Sequence, residues 1–289
     1  MVKENKIGFI GLGAMGFPMA KRLCQAGFSV LTAINSNPMP AEELKKLGAT
    51  IKSSFSEVII NSDVIMSILP ADQEVKEVLL SDDVLKNIQP GTVLIEMTSC
   101  TPKTVQEVAS LYRNLGVRVI DAPVSGGISG AKNGTLTMMV GGSKDTVEDV
   151  EWILREVASK FVMVGDVGAG KAIKMINQML VGIHVIAASE AISLARHLDV
   201  DLNTVNEVIS ESTGSSKTFH NKFRNIVSEN YDPGFRLDLM LKDIEIALQA
   251  GKELSLPLTT IASQFFKEAA VTDNEKDMSA VSKTILHKK

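Results

Sequence analysis

The feature that most constrains this chain is a glycine-rich turn set between an apolar run and an amphipathic segment near its start. Gly11-Leu12-Gly13-Ala14-Met15-Gly16 follows Ile7-Gly8-Phe9-Ile10, which reads as a buried strand. It opens a helical pattern from Met15 to Ala26 that Gly27 closes. The spacing G-x-G-x-x-G between strand and helix points to a βαβ unit that binds a dinucleotide. The first glycine makes the tight turn, the second admits a pyrophosphate to the backbone, and the third lets helix and strand pack closely. Free N–H groups and the helix dipole at that N-terminus favour the phosphates. Gly11, Leu12, Gly13, Ala14, Met15 and Gly16 are therefore candidate cofactor-binding residues.

Alternation continues downstream. Ser29 to Ile34 reads as a second strand and Ala41 to Leu47 as a helix stopped by Gly48. Val64 to Leu69, Thr92 to Met97, Val117 to Ile120 and Thr137 to Val140 extend the series. Strands alternating with helices imply an α/β fold, a Rossmann-type doubly wound parallel sheet. After about Val164 the pattern turns helical, with breakers only at Pro233-Gly234 and Pro257. The 289 residues thus divide into a dinucleotide-binding domain, 1–164, and an all-α domain, 165–289.

Composition narrows the partners. Lys+Arg number 30 against 34 Asp+Glu, a formal charge of −4 with no basic block, so no nucleic-acid partner is expected. Cys24 and Cys100 lack C-x-x-C spacing and are expected as reduced thiols in a cytoplasmic protein. The polar start, Met1 to Lys6, is unlike a signal peptide. The apolar stretch Met179 to Ala195 is interrupted by Gly182, His184, Ser189, Glu190 and Ser193, so a buried helix is expected rather than a membrane span. His184, His197, His220 and His287 show no H-E-x-x-H spacing, and G-x-S-x-G is missing. Neither a metal site nor a serine hydrolase is expected.

The expected coenzyme is NAD or NADP. An acid at the end of the second strand would grip the ribose of NAD, and an arginine would receive the phosphate of NADP. Ile34-Asn35-Ser36-Asn37 offers neither; Asn35 and Ser36 can hydrogen-bond either coenzyme, and Asn35 is the candidate contact.

Four stretches, in order, resemble the β-hydroxyacid dehydrogenase family. They are Gly8 to Ala20, Asp121-Ala122-Pro123-Val124-Ser125-Gly126-Gly127 with Gly134-Thr135-Leu136, Gly165 to Gln178, and Lys242-Asp243-Ile244. The resemblance implies a nicotinamide cofactor, hydride transfer at a small 3-hydroxy acid or semialdehyde, and Lys174 as the catalytic residue. It also implies that Ser125, Gly126, Gly127 and Asn177 contact substrate, and that Leu69, Pro70, Ser99 and Lys242 contact cofactor. A 3-hydroxyisobutyrate dehydrogenase-like enzyme is the leading expectation. A 2-hydroxy-3-oxopropionate reductase, or a non-catalytic dinucleotide-binding scaffold, is the alternative. 6-Phosphogluconate dehydrogenases are longer, imine reductases lack the lysine, and scaffold relatives typically lose it too. Two departures stand out: Asn35-Ser36 at the coenzyme-selecting position, and Glu96 where aspartate is common.

The same residues make chemical sense. Alcohol oxidation needs a base for the hydroxyl proton, and reduction needs the same group as an acid. A lysine serves only if its pKa falls from about 10.4 toward neutrality, as burial or a nearby positive charge would make it do. Asn177 and Gln178 lie at i+3 and i+4 from Lys174 and share its face. Lys171, the rival, is expected to face elsewhere and to be dispensable. Ser125-Gly126-Gly127 offers a hydroxyl and open N–H groups for a substrate carboxylate. Ser212 to His220 is expected to line the substrate pocket. The long apolar helix needs cover on more than one side, so a homodimer or homotetramer packed through the helical domains is expected.

Overall fold

The computed structural model describes residues 5–286; His287 lies outside them. Packing divides the chain into two compact units, one reaching Lys174 and the other starting at Met175.

The first unit is built on one sheet. Its strands are β1 (Lys6–Ile10), β2 (Ser29–Ala33), β3 (Thr50–Lys52), β4 (Val64–Ser67), β5 (Val93–Glu96), β6 (Arg118–Asp121), β7 (Val124–Ser125), β8 (Leu136–Gly141) and β9 (Ala158–Gly165). Between them run α1 (Gly16–Gln25), α2 (Met39–Lys46), α3 (Phe55–Ile60), α4 (Asp72–Leu79), α5 (Asp82–Asn87), α6 (Pro102–Asn114), α7 (Gly127–Asn133) and α8 (Lys144–Val157). The order is β3-β2-β1-β4-β5-β6-β8-β7, with β9 beside β8. The first six are parallel, and the winding reverses between β1 and β4.

Strand residues alternate between two cores because successive side chains point to opposite faces. Val64 and Met66 of β4 and Val93 and Ile95 of β5 join α1 and α8 on one face. Ile65 and Leu94 join α3, α4 and α6 on the other. Helix caps set the turns between layers: Ser54, Thr101 and Ser143 each accept a backbone N–H of the first helical turn.

The far end of the sheet departs from a purely parallel pattern. β8 runs antiparallel to both β6 and β7, pairing Asp121 with Gly141, Val124 with Met138 and Ser125 with Thr137. These pairs share one register, so Pro123, which has no N–H to donate, divides a single strand in two. The short edge strand β3 and the largely exposed β9 also lie outside the sequence expectation.

The second unit is helical. α9 (Ala169–His197) enters it, followed by α10 (Leu202–Ser210), α11 (Lys217–Val227), α12 (Leu237–Ala250), α13 (Pro257–Asp273), a 3-10 turn (Met278–Ser282) and α14 (Lys283–Leu286). Val185 and Ile192 of α9 pack with Phe219, Phe223, Met240, Ile244 and Phe266. Asp277 ties this core together. It accepts from Lys222 Nζ at 2.8 Å and from the N–H groups of Gly234, Phe235 and Ser279 at 3.0 Å. Lys222 holds Asp277 below the usual carboxylate range despite its burial, which works the other way. Among the described residues, the β pairing beyond β9 is one isolated bridge, Arg236 with Asp277.

β9 ends at Gly165 and α9 begins at Ala169, whereas packing carries the opening of α9, through Lys174, with the α/β unit. Along α9, 44% of the most apolar window is buried, although length and hydropathy alone would allow a membrane span. Ile173, Ile176, Leu180 and Leu194 remain 41–59% exposed.

Candidate active site

Most of the expected cofactor residues gather along one edge of the first unit's sheet. The glycine turn follows β1, Asn35 follows β2, Leu69 and Pro70 follow β4, and Ser99 follows β5. Parallel strands bring their C-terminal ends together there. The crevice outside the point where winding reverses is where open α/β sheets take ligands.

The turn itself tests whether a dinucleotide fits. At Gly11, where φ is +96°, a Cβ would lie 2.0 Å from Ile68 O; at Gly16 it would lie 1.8 Å from Gly11 O. Both glycines are demanded by the protein's own packing. A Cβ on exposed Gly13 would meet no protein atom within 4 Å, so folding places no such demand there. Open space beside a helix N-terminus is what the approach of a pyrophosphate requires. Ala14 is exposed, while Leu12 and Met15 pack against the core and fix the turn. Asn35 and Ser36 are exposed beyond β2.

Ser125, half-buried, ends β7; Gly126 and Gly127 follow with φ of +134° and +63° and open α7. Lys174 sits in the second turn of α9, half-buried, at the end of the first unit.

Lys171, expected to face away from Lys174 and Asn177, is 1% exposed. Its Nζ pairs with the Glu96 carboxylate and donates to the carbonyl oxygens of Glu96 and Thr98 at 2.9 and 2.7 Å. Burial opposes the charged form, yet Glu96, ahead of Cys100 and Asp121, outweighs it and raises the Lys171 pKa. Asp121 accepts the N–H groups of Gly168 and Lys171 at 2.7 and 2.8 Å, while burial lifts its own pKa. Glu96, which stands where aspartate is common, is thus the carboxylate partner of Lys171. Ser67, Glu96 and Asp121 stand opposite one another across β4, β5 and β6 as a buried polar row.

In the second unit, Asn177 Nδ2 donates to Gln178 Oε1 at 3.1 Å, and Gln178 Nε2 donates to Asp243 Oδ2 at 2.8 Å. Lys242 lies 3.3 Å from Asp243 Oδ1. Asn177 and Lys242, singled out separately by the sequence reading, are thus linked through Gln178 and Asp243. Sequence reasoning placed Gln178 on the Lys174 face and Asp243 in the fourth family-like stretch, but did not join the two. In the segment 212–220, Thr218 and Phe219 are buried, while Ser212 and His220 are exposed. Among the described residues, no group of three or more His, Cys, Asp or Glu side chains stands together to hold a metal ion.

Comparison with known proteins agrees with this layout. The NAD-binding domain of 6-phosphogluconate dehydrogenase matches residues 6–165. The NAD-binding domain of NADP-dependent 3-hydroxyisobutyrate dehydrogenase matches residues 168–285. The chain is 37% identical to 2-(hydroxymethyl)glutarate dehydrogenase of Eubacterium barkeri, over 98% of this chain and 95% of that protein. It is 34% identical to 2-hydroxy-3-oxopropionate reductase of Escherichia coli, over 96% and 95%. The solved 3-hydroxyisobutyrate dehydrogenase of Mycobacterium tuberculosis, with L-serine, aligns at a TM-score of 0.89 and 31% identity, over 97% of this chain and 99% of that one. The glycine turn, the strand-end residues and the helical second unit therefore belong to an NAD(P)-dependent oxidoreductase of the β-hydroxyacid dehydrogenase family.

Proposed function

We propose that this enzyme interconverts a 3-hydroxy acid of the form HOCH2–CH(R)–COO− and its semialdehyde, with Lys174 as the general acid and base. 3-Hydroxyisobutyrate, where R is methyl, is the leading substrate. The observation that carries the reading is Lys174 on α9, one turn before Asn177, in a chain of this family. Chemical overlap among the relatives supports the substrate class: 2-(hydroxymethyl)glutarate and L-serine share the HOCH2–CH(R)–COO− core with 3-hydroxyisobutyrate.

Gly11 to Gly16 hold the pyrophosphate, Asn35 meets the adenosine ribose, and Leu69, Pro70, Ser99 and Lys242 complete the coenzyme contacts. A bound nicotinamide would supply the hydride acceptor for oxidation and the hydride donor for reduction. Lys174 Nζ, as the neutral amine, takes the hydroxyl proton in oxidation and gives it back in reduction. Asn177 orients the reacting oxygen, and Ser125, Gly126 and Gly127 receive the carboxylate. The exposed apolar residues Ile173, Ile176, Leu180 and Leu194 fit a homodimer or homotetramer in which α9 is covered by a second copy.

A second reading is reduction of 2-hydroxy-3-oxopropionate, favoured by the 34% identity to that reductase. Steady-state turnover separates the two. 3-Hydroxyisobutyrate, 2-(hydroxymethyl)glutarate, L-serine, L-threonate and 2-hydroxy-3-oxopropionate are each assayed with both coenzymes. Highest kcat/KM on 3-hydroxyisobutyrate supports the leading substrate. Highest kcat/KM on 2-hydroxy-3-oxopropionate, the semialdehyde of the same core with R as hydroxyl, supports the second reading. Activity confined to L-threonate overturns the substrate class. Inactivity with every compound points to the scaffold alternative. Lys174→Ala is expected to lower kcat by about 10² to 10⁴ while leaving coenzyme affinity unchanged.

A further inference from the structure

The opening of α9 is held by an ammonium that proton transfer itself does not use. All three donors of Lys171 Nζ are taken, by the Glu96 carboxylate and the Glu96 and Thr98 carbonyls. Its backbone N–H and that of Gly168 occupy the two oxygens of Asp121. A Cβ on Gly170 would lie 2.4 Å from Met139 O, so the helix backbone rests directly on the sheet. The same contacts continue into the loops that follow the strands. Glu96 Oε1 accepts the N–H of Thr98 at 2.9 Å, and Thr98 Oγ1 accepts the N–H of Leu69 at 2.8 Å. One buried ammonium thereby links Leu69-Pro70 after β4, Thr98-Ser99 after β5, and the helical turn before Lys174.

A fully buried ion pair is a costly way to gain stability alone, because apolar side chains of similar volume commonly do as well. Its distinctive property is directional: three donors aimed at three fixed acceptors set a position. We propose that Lys171, paired with Glu96, is a positioning residue that holds the coenzyme-facing loops in register with the helix carrying Lys174. The extra methylene of Glu96 belongs to the device, since the carboxylate spans from the Thr98 N–H to Lys171 Nζ. The proposal rests on the roles given above to Lys174, Leu69, Pro70 and Ser99.

Lys171→Met alone strands the Glu96 carboxylate in the interior and is expected to lose folding. Two other variants carry the test: the neutral double variant Glu96→Gln/Lys171→Gln, and Glu96→Asp, which keeps the charge and shortens the reach. Each is measured for Tm, for Kd of NAD+ and NADP+ by direct titration, and for kcat on the best substrate of the panel. Both are expected to fold, with coenzyme Kd raised and kcat lowered, each by between about tenfold and a hundredfold. Lys174→Met provides the contrast, with kcat lost and coenzyme Kd retained. Folded Lys171 and Glu96 variants with wild-type Kd and kcat overturn the proposal, whatever their Tm. Failure of both to fold also overturns it, because the pair then serves stability alone. If Lys174→Met keeps its kcat, the Lys174 assignment fails, and the coenzyme Kd of the other variants still decides the role of Lys171.

Discussion

Replacing Gly13 by alanine separates what the glycine turn does for the coenzyme from what it does for the fold. The new methyl would meet no protein atom within 4 Å, and the residue is not in a left-handed conformation, so the folded state accepts it without strain. Losing a glycine also narrows the unfolded ensemble, worth about 0.4–1 kcal/mol in favour of folding. Thermal and urea unfolding should therefore be unchanged or slightly improved. Binding should not escape if the methyl stands where the proposed pyrophosphate contact lies. Weakening one hydrogen bond to a charged phosphate costs about 1.5–3 kcal/mol, or roughly a tenfold to hundredfold rise in Kd. The assay is titration of NAD+ and NADP+ into purified Gly13→Ala alongside its melting curve. Gly16→Ala is the opposite control, since its Cβ would fall 1.8 Å from Gly11 O and should destabilise the fold outright. A Gly13→Ala protein that binds coenzyme normally would refute the placement of the phosphates. One that fails to fold would refute the claim that the space is open.

Further expectations address coenzyme choice, acid sensitivity and assembly. With neither acid nor arginine at Asn35, discrimination between NAD and NADP should be about tenfold to a hundredfold, roughly 1.4–2.8 kcal/mol. Asn35→Asp should shift kcat/KM toward NAD, because a carboxylate accepts from the 2′-hydroxyl and repels a phosphate; an unchanged ratio would move the ribose elsewhere. In the helical unit, burial raises the pKa of Asp273, but Lys276 and Lys283 overcome it and bring it from 3.8 to about 2; Asp277 is lowered as well. Acids depressed in the folded state give stability above their unfolded pKa and lose it as pH falls through the folded one. Asp121, raised by burial, works in the opposite sense. Urea midpoints followed by circular dichroism should thus drop steeply below about pH 4, and a flat profile down to pH 2.5 would count against these ion pairs. Leu180→Glu/Leu194→Glu should reduce the sedimenting mass without changing helix content; an unaltered oligomer would exonerate this face of α9.

Local pattern made much of the first unit legible. β1, β2, β4 and β5 are short apolar runs bounded by glycine or proline, and the glycine turn announces its own geometry. β3 was not legible because its three residues at the sheet edge bury too little to leave a pattern. The antiparallel direction of β8 is not legible in the sequence because Pro123 hides the continuity of β6 with β7. In the site, the motif residues stood out by spacing. The Lys171–Glu96 pair did not, because its partners lie 75 residues apart and no periodicity joins them. A lysine on a helix reads as solvated until the structure shows what surrounds it. Gln178 and Asp243, 65 residues apart, were obscured for the same reason.

The division of the chain within α9 has a consequence for how such proteins are taken apart and recombined. A fragment ending at Gly165 keeps every strand yet leaves Glu96 and Asp121, both fully buried, without Lys171 and without the N–H groups of Gly168 and Lys171. Each uncompensated carboxylate in such an interior costs several kcal/mol, a large share of what holds a domain of this size folded. A fragment carried through Lys174 retains all of those partners. Exchange of helical domains between relatives is therefore expected to succeed when the junction lies beyond Lys174 and to fail at the visible border between sheet and helix.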